Sequence, residues 1–254
     1  MQTVMVPQFL MPFLLPFCRF LYYLLKEKEK KIKESMKIMG LTESAYFSSW
    51  LFHYFMYFTL MAILITYIFS LIAVNSNPYI IFLWFWLYLM TLFSMAIFLS
   101  ALFTKAKVGI IIAISWKFFE AVMHDLVWAN KAKFDTNDMF WISVNPFIAT
   151  AFAGDNVLVL DAAGEGLQWD NMFTFEYKNM NMAFPFFWNT VQIVFFFSLG
   201  IYLELVLNKE YGTSRDWNFL WKKKHVVAKA VIQKEYQRIK EQESNIKFNE
   251  VITD

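Results

Sequence analysis

Five long apolar stretches dominate this chain, and they leave few folds open to it. They run Pro7 to Leu25, Tyr46 to Val74, Tyr79 to Phe103, Val108 to Trp128 and Phe184 to Leu207. Crossing a bilayer takes about 20 apolar residues in a helix. Hydrocarbon offers no partner to an open strand edge, so each stretch is read as a helix. A barrel would show repeated alternating segments of about ten residues instead, and none is seen. Apolar residues make up 58% of the chain and aromatic ones 20%, with thirty Phe, far more than a soluble core of this size would bury. The expected fold is all-α, a multi-pass helical membrane protein. Pro7, Pro12 and Pro16 predict a kinked or irregular start to the first span.

The charges orient these spans. Loop 26–44 carries six Lys, loop 104–107 carries Lys105 and Lys107, and ten Lys and Arg follow from Asn208 onward. Segment 129–183 holds only Lys131, Lys133 and Lys178 against seven acids. Five spans put the basic regions on one side and the acidic segment on the other. The positive-inside rule makes the basic side cytoplasmic, or the matrix of an organelle, with the mitochondrial inner membrane one candidate. The C-terminus then faces inward and the N-terminus outward. No cleavable leader is evident.

Segment 139–163 is apolar but interrupted. Asn145-Pro146 and Gly154-Asp155 are expected to divide it into two short helical pieces. A re-entrant or interfacial hairpin on the outer side, with Asn145, Pro146 and Gly154 at its turns, is the expected solution, its turn shielded by protein.

The loop E-K-E-K-K-I-K-E-S-M-K-I-M-G, Glu27 to Gly40, predicts an amphipathic helix with Ile32, Met36 and Met39 on one face. Glu27 with Lys31, and Glu29 with Lys33, would support it at i,i+4. Read from its residues alone, such a helix rests on anionic headgroups. The chain past Trp221 is a charged tail, 222–254, opening on Lys222, Lys223 and Lys224. Its weak stripe of Ala228, Ile232, Tyr236 and Ile239 suits either a docking helix or a solvated tail. Residues 1–221 form the expected transmembrane domain.

Intramembrane charges are costly and seek a partner or a wet cavity. Lys117, Glu120 and His124 share one helical face. They fit either a polar transport path or, more simply, a self-paired Lys117–Glu120 bridge that packs helices. Arg19 and Glu204 are placed to pair across helices or to snorkel. Asp155, Asp161 and Glu165 read as solvated acids. Trp84-Phe85-Trp86 and Trp128 read as interface anchors. Cys18 reads as a small hydrophobe, and three scattered His residues make no metal cluster. No G-x-x-x-x-G-K-[ST] phosphate loop occurs in these 254 residues. No catalytic dyad, cofactor site or nucleic-acid surface is expected.

Five elements together resemble the membrane domain of A-subfamily ABC transporters, the lipid exporters. The first is the run Lys26, Glu27, Lys28, Glu29, Lys31, Lys33, Glu34, Met36, Met39, Gly40 and Leu41, followed by a span with Trp50. The others are Phe103-Thr104-Lys105-Ala106, then Ser143 with Asn145-Pro146, then Gly166-Leu167-Gln168-Trp169-Asp170-Asn171, and finally Glu210-Tyr211-Gly212 with Arg215 and Trp217. They stand in the family's order across roughly residues 20 to 221. The resemblance implies that Glu27, Lys31, Glu34, Met36, Met39 and Gly40 belong to a coupling helix that docks on a nucleotide-binding domain. It implies membrane lipids, a separate ATPase subunit and a second membrane half as partners, with ATP-Mg bound only on that other chain. Against the family's pattern, a first span, a large extracellular domain and a nucleotide-binding domain are not found in this sequence. A fragment of a longer transporter, or a transport-inactive subunit of a larger membrane complex, are the alternative expectations.

Overall fold

A computed structural model describes residues 5–32, 35–36, 39–40, 42–174, 179–207 and 217. The chain divides into two units, Met1–Leu205 and Val206–Asp254. The expected tail, 222–254, lies outside the described residues, as does Glu34. Among the described residues no strand occurs.

Helix α1 spans Met5–Leu10 and is followed by a 3-10 turn at Met11–Phe13 and by α2, Leu14–Glu29. Pro12 sits in that 3-10 turn, which is the irregular start expected of the first span. Helix α3 covers Glu43–Ser70, α4 Pro78–Leu102 and α5 Ala106–Ala129. Then come α6, Thr136–Ile142, α7, Pro146–Ala162, and α8, Ala183–Val206. Two helices start on the same device. Asn77 caps α4 through a bond from Tyr79 N–H, and Asn145 caps α7 through bonds from Phe147 and Ile148 N–H, each with Pro at the first helical position. The Asn oxygen satisfies donors that the helix leaves orphaned, and Pro has no donor there to lose.

Among the described residues three helices are long and apolar enough to cross a membrane: Ser48–Ser70 within α3, all of α4 and all of α8. Helix α2 is shorter than the others, and α5 carries Lys117, Glu120 and Asp125.

Helix α4 is the centre of the bundle. It packs against α3, α2 and α7, while α2 also packs along α5. Phe17, Phe20, Phe58, Phe69, Trp84, Phe85 and Tyr88 are fully enclosed around it. Phe20 stacks on Phe93 at 5.1 Å, and Phe69 meets Trp84 and Phe85 edge-on at 5.5 and 5.4 Å. Such pairs each contribute about 0.5–1.5 kcal/mol beyond burial. Trp84 and Phe85 are therefore core residues and not the interface anchors expected of them. By contrast α3, α5 and α8 turn broad apolar faces outward, with Phe52, Leu60, Ile111, Phe118, Val194 and Phe195 exposed.

Two sequence expectations are corrected by the backbone. Gly154-Asp155 does not interrupt its segment, because α7 runs unbroken through both residues, and both are buried. Packing on α1, α4 and α5 outweighs the weak helix propensity of Gly and Asp. The break lies earlier, at Ser143–Asn145, between α6 and α7. Nor does one amphipathic helix begin at Glu27. Helix α2 continues to Glu29, and the chain turns at Lys30 and Lys31, with Lys31 at φ 56°. Glu27 thus belongs to the last turn of α2 and Lys31 to the turn that follows it.

Candidate functional site

The lysine-rich end of the bundle gathers three consecutive side chains of α2 onto four other elements. Glu27 accepts a hydrogen bond from Tyr46 Oη at 2.7 Å, at the start of α3. Lys28 Nζ donates to Ser100 O on α4 and pairs with Glu204 Oε2 on α8, each at 2.5 Å. Glu29 accepts from Ala106 N–H, the first residue of α5, at 3.4 Å. The positive charge of Lys28 also sits in the last turn of α2, where the helix dipole favours it. The expected Arg19–Glu204 pair does not form, since Glu204 bonds to Lys28. The Arg19 guanidinium lies 6.0 Å from the Tyr23 ring centre.

Beyond the turn at Lys31 a second short helical segment includes Ile32, Ser35 and Met36, with Ser35 N–H bonded to Lys31 O and Met39 N–H to Ser35 O. Gly40 then takes φ 96°, a backbone angle an L side chain resists. Thr42 restarts the chain as the cap of α3, accepting from Ala45 N–H. Ile32 is 38% and Met39 78% exposed, while Met36 lines a cleft against α2 and α3. Of the residues expected to form a coupling element, Met36, Met39 and Gly40 lie past the turn, Lys31 lies in it and Glu27 precedes it.

The middle of the bundle holds the polar stripe of α5. Lys117, Glu120 and His124 are all buried, with Phe118 and Phe119 exposed on the opposite face and Trp116 exposed at the flank. Lys117 Nζ lies 2.6 Å from Glu120 Oε2, and Trp116 Nε1 donates to Glu120 Oε1 at 2.7 Å. Lys117 also approaches the Phe17 ring on α2 at 5.6 Å. His124 packs among Trp128, Phe147 and Phe152 and contacts Asp125 at 3.1 Å. The stripe faces α2 and α7, and its Lys117–Glu120 bridge lies within α5.

The opposite end is closed by a clamp that local sequence did not reveal. Asp161 Oδ1 accepts from Asn75 N–H at 2.7 Å and from Ser76 Oγ at 3.2 Å. Ser76 Oγ accepts from Leu167 N–H, and Asn77 N–H donates to Leu167 O. Gln168 Nε2 reaches Asn75 O, and Asn171 holds the loop closed through Gly166 O and Gln168 N–H. Gly166 sits at φ 66°, and a Cβ there would lie 2.0 Å from Asn75 O. The Gly166–Asn171 element is thus a clasp on the α3–α4 turn. Asp161 is its central acceptor, not a free acid. Asp155 is buried in α7.

The α6–α7 turn is tied into the bundle from the side. Gln192 Nε2 on α8 donates to Val144 O, and Trp188 Nε1 donates to Phe140 O at 2.8 Å. Asn156 Nδ2 bonds to Met180 O at 2.7 Å. Among the described residues no cluster of metal-ligating side chains occurs.

A bundle of apolar helices with a lysine-rich connection at one end and a clasped turn at the other is the membrane-embedded part of a protein. Residues 2–202 match the family of ABC-2 family transporter proteins, and the chain belongs to that family. It is 30% identical over 249 residues to the cholesterol transporter ABCA5 of Homo sapiens, covering 93% of this chain and 14% of that protein. It is 32% identical over 216 residues to ABC transporter A family member 2 of Dictyostelium discoideum, covering 82% of this chain and 12% of that protein. The glucosylceramide transporter ABCA12 of Homo sapiens is 27% identical over 210 residues, covering 79% of this chain and 8% of its own length. The chain therefore spans about a seventh or less of these relatives. They lend no support to a subunit of a mitochondrial inner-membrane complex.

Proposed function

We propose that this chain is a membrane domain of an A-subfamily lipid transporter, driven by a nucleotide-binding domain that is not encoded in these 254 residues. The observation that carries the reading is the family match over residues 2–202, in a chain whose lysine-rich connection leaves Ile32 and Met39 exposed. ATP-Mg would be bound and hydrolysed on the partner domain, and a second membrane half would complete the path. This chain's role is mechanical. A push on Ile32 and Met39 reaches α2 through the turn at Lys31. The bonds of Glu27, Lys28 and Glu29 pass it to α3, α4, α5 and α8.

In this reading α1 with α2, and then α3, α4, α5 and α8, make five crossings with the lysine-rich end in the cytoplasm. Segment 136–162 enters from the outer side and returns. Its return helix α7 has 17 residues, about 25 Å at 1.5 Å per residue, against a hydrocarbon core of about 30 Å. Burial of nearly all of α7, and the bonds from Trp188 and Gln192 to the turn, supply the shielding that irregular backbone at such depth requires.

The test is the company the protein keeps. Purified from its own membrane in mild detergent, the chain should carry a nucleotide-binding domain in fixed stoichiometry, on the same longer polypeptide or on a separate chain. Intact-mass measurement of an assembly with no such domain would contradict the proposal.

A further inference from the structure

Ser35 stands in the middle of the exposed side of the lysine-rich connection. Ile32 precedes it by three residues and Met39 follows it by four, spacings that set side chains next to one another on a helix. All three residues are exposed, while Met36 turns into the cleft against α2 and α3. An apolar patch thus carries a hydroxyl near its centre. That hydroxyl donates to Lys31 O at 3.3 Å, a long bond at an exposed site. In sequence it is ringed by cations. Lys30, Lys31 and Lys33 precede it and Lys37 follows it, with Glu34 the one acid among them.

We infer that Ser35 is a phosphorylation site for a serine kinase with an acidic substrate groove, and that the phosphate switches off the contact made through Ile32 and Met39. The cytoplasmic placing of the site, and the contact itself, rest on the reading proposed above. An acidic groove selects a hydroxyl with lysines on both sides by charge complementarity. It also needs that hydroxyl on a stretch that can lie extended across the kinase. Residues 30–42 join α2 to α3, and their helical part is bounded by Lys31 at φ 56° and Gly40 at φ 96°. So short a helix is marginal in water, and opening it costs little. Other hydroxyls at this end lack one condition or the other. Thr42 caps α3 and is followed by Glu43. Ser100 donates to Ile97 O inside α4. Thr104 is exposed beside Lys105, but the chain just before it is held in the bundle, with Ala101 buried. In the transfer, the γ-phosphorus of ATP bonds to Ser35 Oγ as its bond to the β–γ bridging oxygen breaks. ADP leaves, and the hydroxyl proton passes to the kinase's carboxylate base and then to water. The phosphate brings a charge of about −1.5 to −2, which cancels roughly half or more of the net positive charge between Lys30 and Lys37. It also sets a strongly hydrated group between Ile32 and Met39, so neither can be buried against a partner without stripping water from the phosphate.

The test uses the assembly in which the chain purifies, in detergent micelles, with Mg-ATP and the catalytic domain of protein kinase C, a kinase for basic substrates. Tandem mass spectrometry of the digested chain should find phosphate on Ser35 in preference to Thr42 and Thr104. Ser35→Ala should lose that label with the unfolding temperature unchanged, because the side chain is exposed. Lys33→Gln combined with Lys37→Gln should slow the labelling several-fold. The labelled assembly, freed of kinase and placed in vesicles, should lose most of its ATP-driven lipid movement while still hydrolysing ATP. Ser35→Ala carried through the same treatment should keep that movement. No label on Ser35, a preference for Thr42 or Thr104, or full labelling with lipid movement unchanged would overturn the inference. An untreated wild type that moves no lipid with ATP would sink the transport reading instead, and the Ser35 label would still stand or fall by itself.

Discussion

The two ends of this bundle are held by different chemistry. At the clasped end, Asp161, Ser76, Gln168 and Asn171 bond to backbone groups of two loops, and Gly166 lets the loops touch. At the lysine-rich end each link runs through a long charged side chain of the last turn of α2, two of them to side chains, Tyr46 and Glu204, and two to backbone groups of Ser100 and Ala106. A backbone clasp fixes one geometry, because its donors and acceptors cannot move independently of the chain. Long charged side chains tolerate relative movement of the helices they join. The first end holds one geometry, and the second leaves its helices more freedom to shift.

The buried Lys117–Glu120 bridge between them sets the upper scale. Glu120→Leu leaves the Lys117 ammonium enclosed without its partner, and should cost about 3–5 kcal/mol in detergent unfolding experiments. Adding Lys117→Met should recover most of that loss, since an apolar pair of similar volume removes the uncompensated charge. Gly166→Ala comes next, at about 3 kcal/mol or more, because its Cβ meets a carbonyl oxygen at a positive φ. Asp161→Ala should cost about 1–2 kcal/mol by orphaning the Asn75 N–H and the Ser76 hydroxyl, with little dependence on salt. Glu204→Gln should cost about 1 kcal/mol, since Gln keeps an acceptor for Lys28 and Lys28 keeps its bond to Ser100 O. A larger loss for Glu204→Gln than for Asp161→Ala would reverse the contrast between the ends.

Much of the fold was legible because bilayer-length apolar runs and Asn-Pro starts are local signals. The expected span Tyr79 to Phe103 appears as α4 at Pro78–Leu102, long and apolar enough to cross a membrane, while the stretch Val108 to Trp128 appears as a helix, α5 at Ala106–Ala129. What escaped the sequence was set by distant contacts. Asp161 meets Asn75 across 86 residues, so nothing around it marks an acceptor. Uniform apolarity says that α4 is buried or in lipid but not which, and Trp84 could be placed only by its neighbours. Helical periodicity continues through Lys30 and Lys31 although the backbone turns there, because charged residues on an exposed stretch suit helix and turn alike. Of the candidate site, the polar face of α5 and the importance of 26–40 were visible. The partners of Lys28 and Glu29 were not, since they come from α4, α8 and α5.

The central claim is that the lysine-rich end receives work from an ATPase and turns it into lipid movement. Reconstitution of the complete assembly in vesicles with a fluorescent phospholipid measures both at once. Wild type should move lipid only with ATP. The double variant Ile32→Ser with Met39→Ser should hydrolyse ATP while lipid movement falls about tenfold, as loss of a central apolar contact does. Lipid movement that needs no ATP, or that is unchanged in the double variant, would contradict the account.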